Sequence, residues 1–152
     1  MEIGVEGYSF YENRMASYYL SINDYEEAIR FANAAVDRTP KKYSVILNRA
    51  LILVDCGDKA SAQRDLDMLK RLADDDRTGE GKSGKFWVKI LEVKLAALDG
   101  NYHNAMMKLQ GDLEMPQAVH QRVCKDVAWM IENDYNVKDQ KLKAWAKKQL
   151  MS

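Results

Sequence analysis

An all-α fold made of stacked helix-turn-helix repeats, closed by C-terminal capping helices, is what this sequence predicts, and three observations predict it. A short pattern recurs in three places: helical residues, a tight polar turn, then an alanine a few residues into a second helix. It is read in Tyr19–Ala28 (YLSINDYEEA), Leu53–Ala62 (LVDCGDKASA) and Ala96–Ala105 (AALDGNYHNA). The first two alanines lie 34 residues apart, the period of a helical-pair repeat, and the second and third lie 43 apart, about nine more. The chain also holds only two prolines and eight glycines in 152 residues, so long helices can run unbroken.

The elements follow in order. Helices are expected over about 9–21, 25–37, 43–55, 59–73, 84–98, 102–113, 117–132 and 138–150. Asp24 is placed to cap the second helix, with Glu27 completing a capping box. Gly57-Asp58 and Gly100-Asn101 each pair a helix-ending glycine with an N-cap residue. Turns this short force antiparallel helix pairs, in which Ala16 faces Ala28, Ala50 faces Ala62 and Val93 faces Ala105. Tyr19, Leu53, Leu66 and Leu109 fill the seams around them. The polar stretch 74–83 reads as a connector that holds the extra length before the third pair. Val119, Val123, Val127, Met130 and Ile131 give the seventh helix an apolar face that caps the third pair. In the last helix Leu142, Trp145 and Leu150 share one side.

The stretch 23–40 (NDYEEAIRFANAAVDRTP) resembles the second half of a tetratricopeptide repeat down to its closing proline. Residues 53–72 resemble the same unit without that proline, and 86–113 resemble it more loosely, with Val93 where the family prefers glycine or alanine. The resemblance covers about Ser9 to Leu113. It implies repeats at about 9–40, 43–76 and 86–116, while the chain length and the apolar pattern that follows give a single domain over 1–152 with capping helices over 117–152.

Composition narrows the function. Lys+Arg and Asp+Glu both total 23, so the basic excess of a nucleic-acid binder is missing and no nucleic acid is expected. Acids dominate the first forty residues, while Lys138, Lys141, Lys143, Lys147 and Lys148 mark the tail; both read as solvated helix faces. No apolar run is long enough to span a bilayer, the first ten residues lack a leader pattern, and Cys56 and Cys124 read as reduced buried thiols. A cytoplasmic protein with no membrane contact is expected.

Catalytic and metal motifs are weak. Gly79 to Lys85 satisfies Gly-x-x-x-x-Gly-Lys, but Phe86 stands where magnesium needs Ser or Thr, and no strand precedes it. His103 and His120 have no ligand partners at metal spacing. Cys56 sits at a helix C-terminus, the wrong electrostatic end for a thiolate. No enzyme activity, cofactor or metal is expected. The expected function is protein binding, as an adaptor, scaffold or chaperone-like module; the alternative is a regulatory or ligand-sensing helical-repeat domain of a transcriptional or signalling system. A homodimer is a further possibility.

The resemblance also locates a binding face, since the first helix of each repeat lines the family's concave groove. It points to Phe10, Asn13, Ser17 and Leu20, then Ser44, Leu47, Asn48 and Leu51, then Trp87, Ile90, Leu91 and Lys94. Family members that hold an acidic C-terminal peptide do so with a clamp of cations and asparagines on this face; Asn48 fits one clamp position, but Asn13, Ser17, Trp87 and Leu91 occupy others without the needed cations. An apolar strip of Leu47, Leu51, Trp87 and Ile90 is expected to receive an amphipathic helix or peptide of another protein.

Overall fold

Three turns with one hydrogen-bonding scheme organise the chain. In a computed structural model, which describes residues 4–74, 85–111 and 115–152, the described residues form eight α-helices and no strand. They are α1 (Val5–Ser21), α2 (Tyr25–Arg38), α3 (Tyr43–Cys56), α4 (Lys59–Asp74), α5 (Lys85–Leu98), α6 (Tyr102–Gln110), α7 (Gln117–Glu132) and α8 (Gln140–Met151). The expected boundaries agree to within a few residues. The main differences are an earlier start for α1 and an earlier end for α6, at Gly111. The phosphate-loop lookalike lies outside the described residues except for Lys85, the first residue of α5.

The turns between α1 and α2, α3 and α4, and α5 and α6 repeat atom for atom. Asp24, Asp58 and Asn101 each donate a backbone N–H five residues back, to the carbonyls of Tyr19, Leu53 and Ala96, at 2.9 Å in every case. Asn23, Gly57 and Gly100, one residue earlier, donate three residues back at 3.0 Å. This is the Schellman arrangement, and it requires its central residue to be left-handed. The φ angles there are 60° at Asn23, 89° at Gly57 and 76° at Gly100. The next residue then caps the following helix: Asp24 accepts from Glu27 N–H, Asp58 from Ser61 N–H and Asn101 from Asn104 N–H. Glu27 does not close a capping box, because its carboxylate is held by Arg30 one turn along the same helix.

The alanines sit where such a turn brings two helices together. Ala16, Ala28, Ala50, Ala62 and Ala105 are all completely buried, as is Val93. Ala16, Ala28, Ala32 and Ile52 form one core cluster, flanked by Tyr19, Leu20, Ile29 and Phe31. Within it Tyr19 stacks on Phe31, ring centres 5.5 Å apart.

The chain divides into two compact units, residues 1–91 and 92–152, and the division falls inside α5. In the first unit α1 packs on α2 and α3, α2 on α3, and α3 on α4. Polar ties lock it: Ser9 Oγ donates to the Ala35 carbonyl and bonds Thr39 Oγ1 at 2.7 Å, and Glu12 pairs with Arg38. In the second unit α6 packs on α7 and α8, and α7 on α8. Val123, Val127 and Ile131 of α7 are buried with Leu142 and Ala146 of α8, while Val119 and Met130 are half-buried. Trp145 is half-buried and Leu150 is exposed, so the last turn of α8 carries less of the core than its pattern promised.

Two variants test this scheme. A Cβ at Gly57 would meet nothing within 4 Å, so Gly57→Ala isolates the backbone cost of a left-handed residue, ~1–2 kcal/mol of stability in urea unfolding. Gly57→Asn should lose clearly less. Ala62→Leu should cost ~1–3 kcal/mol by overpacking; an unchanged melt would place Ala62 outside the helix contact.

Candidate functional site

Of the residues assigned to the binding face, Asn13, Ser17 and Asn48 come together through side-chain hydrogen bonds. Asn13, Ser17 and Asn48 lie one helical turn apart on α1 or directly across on α3. Asn48 Nδ2 donates to Asn13 Oδ1 at 2.7 Å and approaches the Asn13 carbonyl at 3.3 Å. Ser17 Oγ lies 3.2 Å from the Asn13 carbonyl and 3.4 Å from Asn48 Oδ1, so its one hydrogen serves one acceptor at a time. Asn13 Nδ2 has no hydrogen-bond partner among the described residues. The face therefore presents a donor at Asn13 and acceptor capacity at Asn48 on a half-exposed surface. Phe10 stands at its edge, 62% exposed, with the Arg14 guanidinium 5.7 Å from its ring centre. Leu51, one turn beyond Asn48, is half-buried.

The expected apolar strip is corrected by burial. Leu47, Ile90 and Leu91 are core residues, at 9%, 1% and 0% exposure, so a partner could not reach Ile90 or Leu91 without the chain reorganising. The physical reason lies in the helices that carry them. α3 and α5 are apolar around much of their circumference, and a helix of that kind is buried on more than one side. Tyr43, Val45, Ile46, Leu47, Ala50, Ile52, Leu53 and Val54 of α3 are all buried. Trp87 is half-buried, its ring 4.9 Å from that of Phe86. Lys94 is engaged too, its Nζ 3.7 Å from Asp126 Oδ2. Ser44 is exposed and Leu20 half-buried.

A second polar feature was missed by sequence reading. Arg49 of α3 grips Asp65 of α4 in a two-pronged pair, Nε to Oδ2 at 2.8 Å and Nη2 to Oδ1 at 2.7 Å, and also reaches Asn33 Oδ1 at 3.3 Å. Asp65 is only 5% exposed. Hydrogen bonding to Asp65 pushes the Arg49 pKa further up. Two shallow grooves meet at this pair, one of about 260 Å³ reaching Ile29 and Asp58, the other of about 540 Å³ reaching Pro40 and Met68. Sixteen residues separate the partners, so no local sequence signal announces them.

Three of the titratable groups singled out in the sequence, His120, Cys124 and Cys56, contact their neighbours. His120 Nε2 lies 2.8 Å from the Leu109 carbonyl, which can only accept, so that nitrogen carries the proton. Cys124 Sγ sits 3.8 Å from both ring nitrogens, and burial pushes its thiol pKa up, away from the reactive thiolate. Cys56 is half-buried, against the expectation of burial, and its Sγ approaches the Leu53 carbonyl at 3.2 Å. His103 is exposed. Among the described residues no group of three potential ligands converges on a metal position, and no helix is long and apolar enough to cross a membrane.

Comparison of the chain with protein-family models, curated proteins and solved structures gives no match.

The Tyr102–Asp134 bond gives a pH prediction. Tyr102 Oη donates to Asp134 Oδ2 at 2.8 Å, and desolvation, then that bond, pushes the phenol up to about 12. Its stabilising effect is complete below the unfolded phenol value of ~10 and is lost as pH rises from there through the folded value. Tyr102→Phe should lower stability at neutral pH by ~1 kcal/mol, since it removes one hydrogen bond. Between pH ~10 and ~12 it should lose less than the wild type does. Urea midpoints at neutral and alkaline pH check both halves.

Proposed function

We propose that this chain is a protein-interaction module of the tetratricopeptide kind, an adaptor or chaperone-like protein that holds a segment of another protein against the α1–α3 face. The observation that carries this reading is the Asn13–Ser17–Asn48 cluster, which leaves an amide donor and an acceptor side by side on an accessible helix surface. A peptide backbone offers the complementary carbonyl and N–H, and asparagine ladders meet both at once. Phe10 supplies an exposed aromatic edge and Leu51 a partly buried apolar floor. The repeated turns at Asn23, Gly57 and Gly100 support the family part of the reading, since they generate successive antiparallel helix pairs from one local rule.

The bound segment is extended or shallowly helical, because Leu47, Ile90 and Leu91 are committed to the core and leave no deep apolar trough. The face carries few charges, and Arg14 leans over Phe10. Binding should therefore vary little with salt. The two free thiols suit a reducing compartment such as the cytoplasm.

Selection from a displayed library of random peptides against the immobilised protein tests this. Phe10→Ala should weaken the selected peptides by ~10-fold or more, a 1.4 kcal/mol effect. Asn13→Ala should weaken them in the same direction, whereas Arg30→Ala, on α2, should leave them unchanged. Peptides that bind all three variants equally would remove the α1–α3 face from consideration.

A further inference from the structure

The last two helices carry a charge excess that neither the fold nor the peptide-binding proposal uses. Residues 117–152 hold seven Lys and Arg against four Asp and Glu, in a chain whose totals balance. The two signs are also segregated. α8 contains no acid at all, and neither does the start of α7, residues 117–125. The connection 133–139 turns α8 back along α7, so the second half of α8 runs beside that acid-free start. α6, which packs on both helices, has no acid either. Glu132, Asp134 and Asp139 gather at the opposite end, around the connection. Two of these three are engaged: Asp134 accepts from Tyr102 Oη and the Asn136 N–H, and Asp139 from the Lys141 and Leu142 N–H groups. The remaining acid, Asp126, is paired with Lys94.

Lys141, Lys147 and Lys148 are exposed and share the solvent side of α8 with Ala144 and Met151, opposite the buried Leu142 and Ala146. Arg122 and Lys125 are exposed on α7. None of these five cations is in an ion pair among the described residues. Apolar groups stand among them: Met151 is 87% exposed and Leu150 41%.

We infer that this basic side of α8, with the adjoining start of α7, docks on an anionic phospholipid surface. The sequence alone reads these lysines as a solvated face; the segregation of the acids away from them is what the folded chain adds. Like charges one or two turns apart on a helix repel, and a layer of lipid phosphates relieves that repulsion. Lysine ammonium groups are point charges on flexible stems, suited to a fluid array of head groups that offers no fixed fork geometry. A nucleic-acid backbone would answer the same charges but has no use for Met151 and Leu150, which the acyl boundary of a bilayer accepts. α8 lies along such a surface and does not enter it, because its apolar side is committed to the core. Each lysine beside an anionic leaflet strengthens binding roughly five-fold, so a handful gives an attachment that salt reverses.

Co-sedimentation of the full chain with vesicles of phosphatidylcholine, with and without ~30% phosphatidylserine, tests this. The wild type should pellet with the anionic vesicles only, and far less at ~500 mM salt than at ~50 mM. Lys147→Glu/Lys148→Glu should weaken binding by ~20-fold or more with an unchanged helical melt, and Lys141→Gln/Lys148→Gln should weaken it in the same direction. The charge-matched Lys41→Glu/Lys42→Glu, in the first unit, should bind as the wild type does. Met151→Gln should weaken vesicle binding several-fold. Absence of pelleting at low salt overturns the proposal, as does equal binding to neutral vesicles or binding untouched by Lys147→Glu/Lys148→Glu. Tighter retention on duplex DNA than on anionic vesicles would assign the face to nucleic acid and overturn it as well. Phe10→Ala should pellet normally, which separates this result from the peptide-binding test.

Discussion

Everything in the fold hangs on a backbone residue being left-handed at three places. When Asn23, Gly57 or Gly100 takes a positive φ, the chain reverses within two residues and the last carbonyls of one helix are satisfied. The first N–H groups of the next helix are then met by Asp24, Asp58 or Asn101. No loop entropy is spent on a longer connection, and the two helices are committed to an antiparallel pair. The alanines follow from that commitment. Ala28, Ala62 and Ala105, each four residues beyond its cap, are completely buried.

The arrangement of helices was legible because turns and caps are local. Gly57-Asp58 and Gly100-Asn101 carry their geometry in their own chemistry, and a reader needs no tertiary information to place them. Asn23 is the harder case, since an asparagine takes the position that glycine holds in the other two turns. It is readable because asparagine tolerates the left-handed region better than other side chains do. The Asp24–Glu27 box was half right for the same kind of reason. The cap is a backbone matter and formed, whereas the reciprocal Glu27 contact had a competitor in Arg30, one turn along the helix.

The candidate site was legible in part. A 3.6-residue period tells that a helix has an apolar side; it does not tell how many neighbours that side has. Leu47, Ile90 and Leu91 obey the same spacing as a groove lining and yet are core, because α3 and α5 are apolar around much of their circumference. The polar members depend on a different quantity. That the amides of Asn13 and Asn48 bond each other depends on the distance between α1 and α3, which no single-helix pattern encodes. Arg49 and Asp65 are the extreme of this class: a charged pair between two helices, one partner nearly inaccessible, with nothing local to flag either.

The likeness of the turns also bears on how such a chain can change in length. Asn23 and Gly57 end their helices with the same two backbone bonds, and Asp24 and Asp58 open the next helices with the same cap. A gene that lost the segment 24–57 would join Asn23 to Asp58, and the new junction would inherit a left-handed donor and a matching capping carboxylate. α1 would then lead directly into α4 through a turn chemically complete on both sides. Gain of the same stretch would be equally seamless. Whole helix pairs are the natural unit of insertion and deletion here, and the residues that make them so are the ones that shape each reversal.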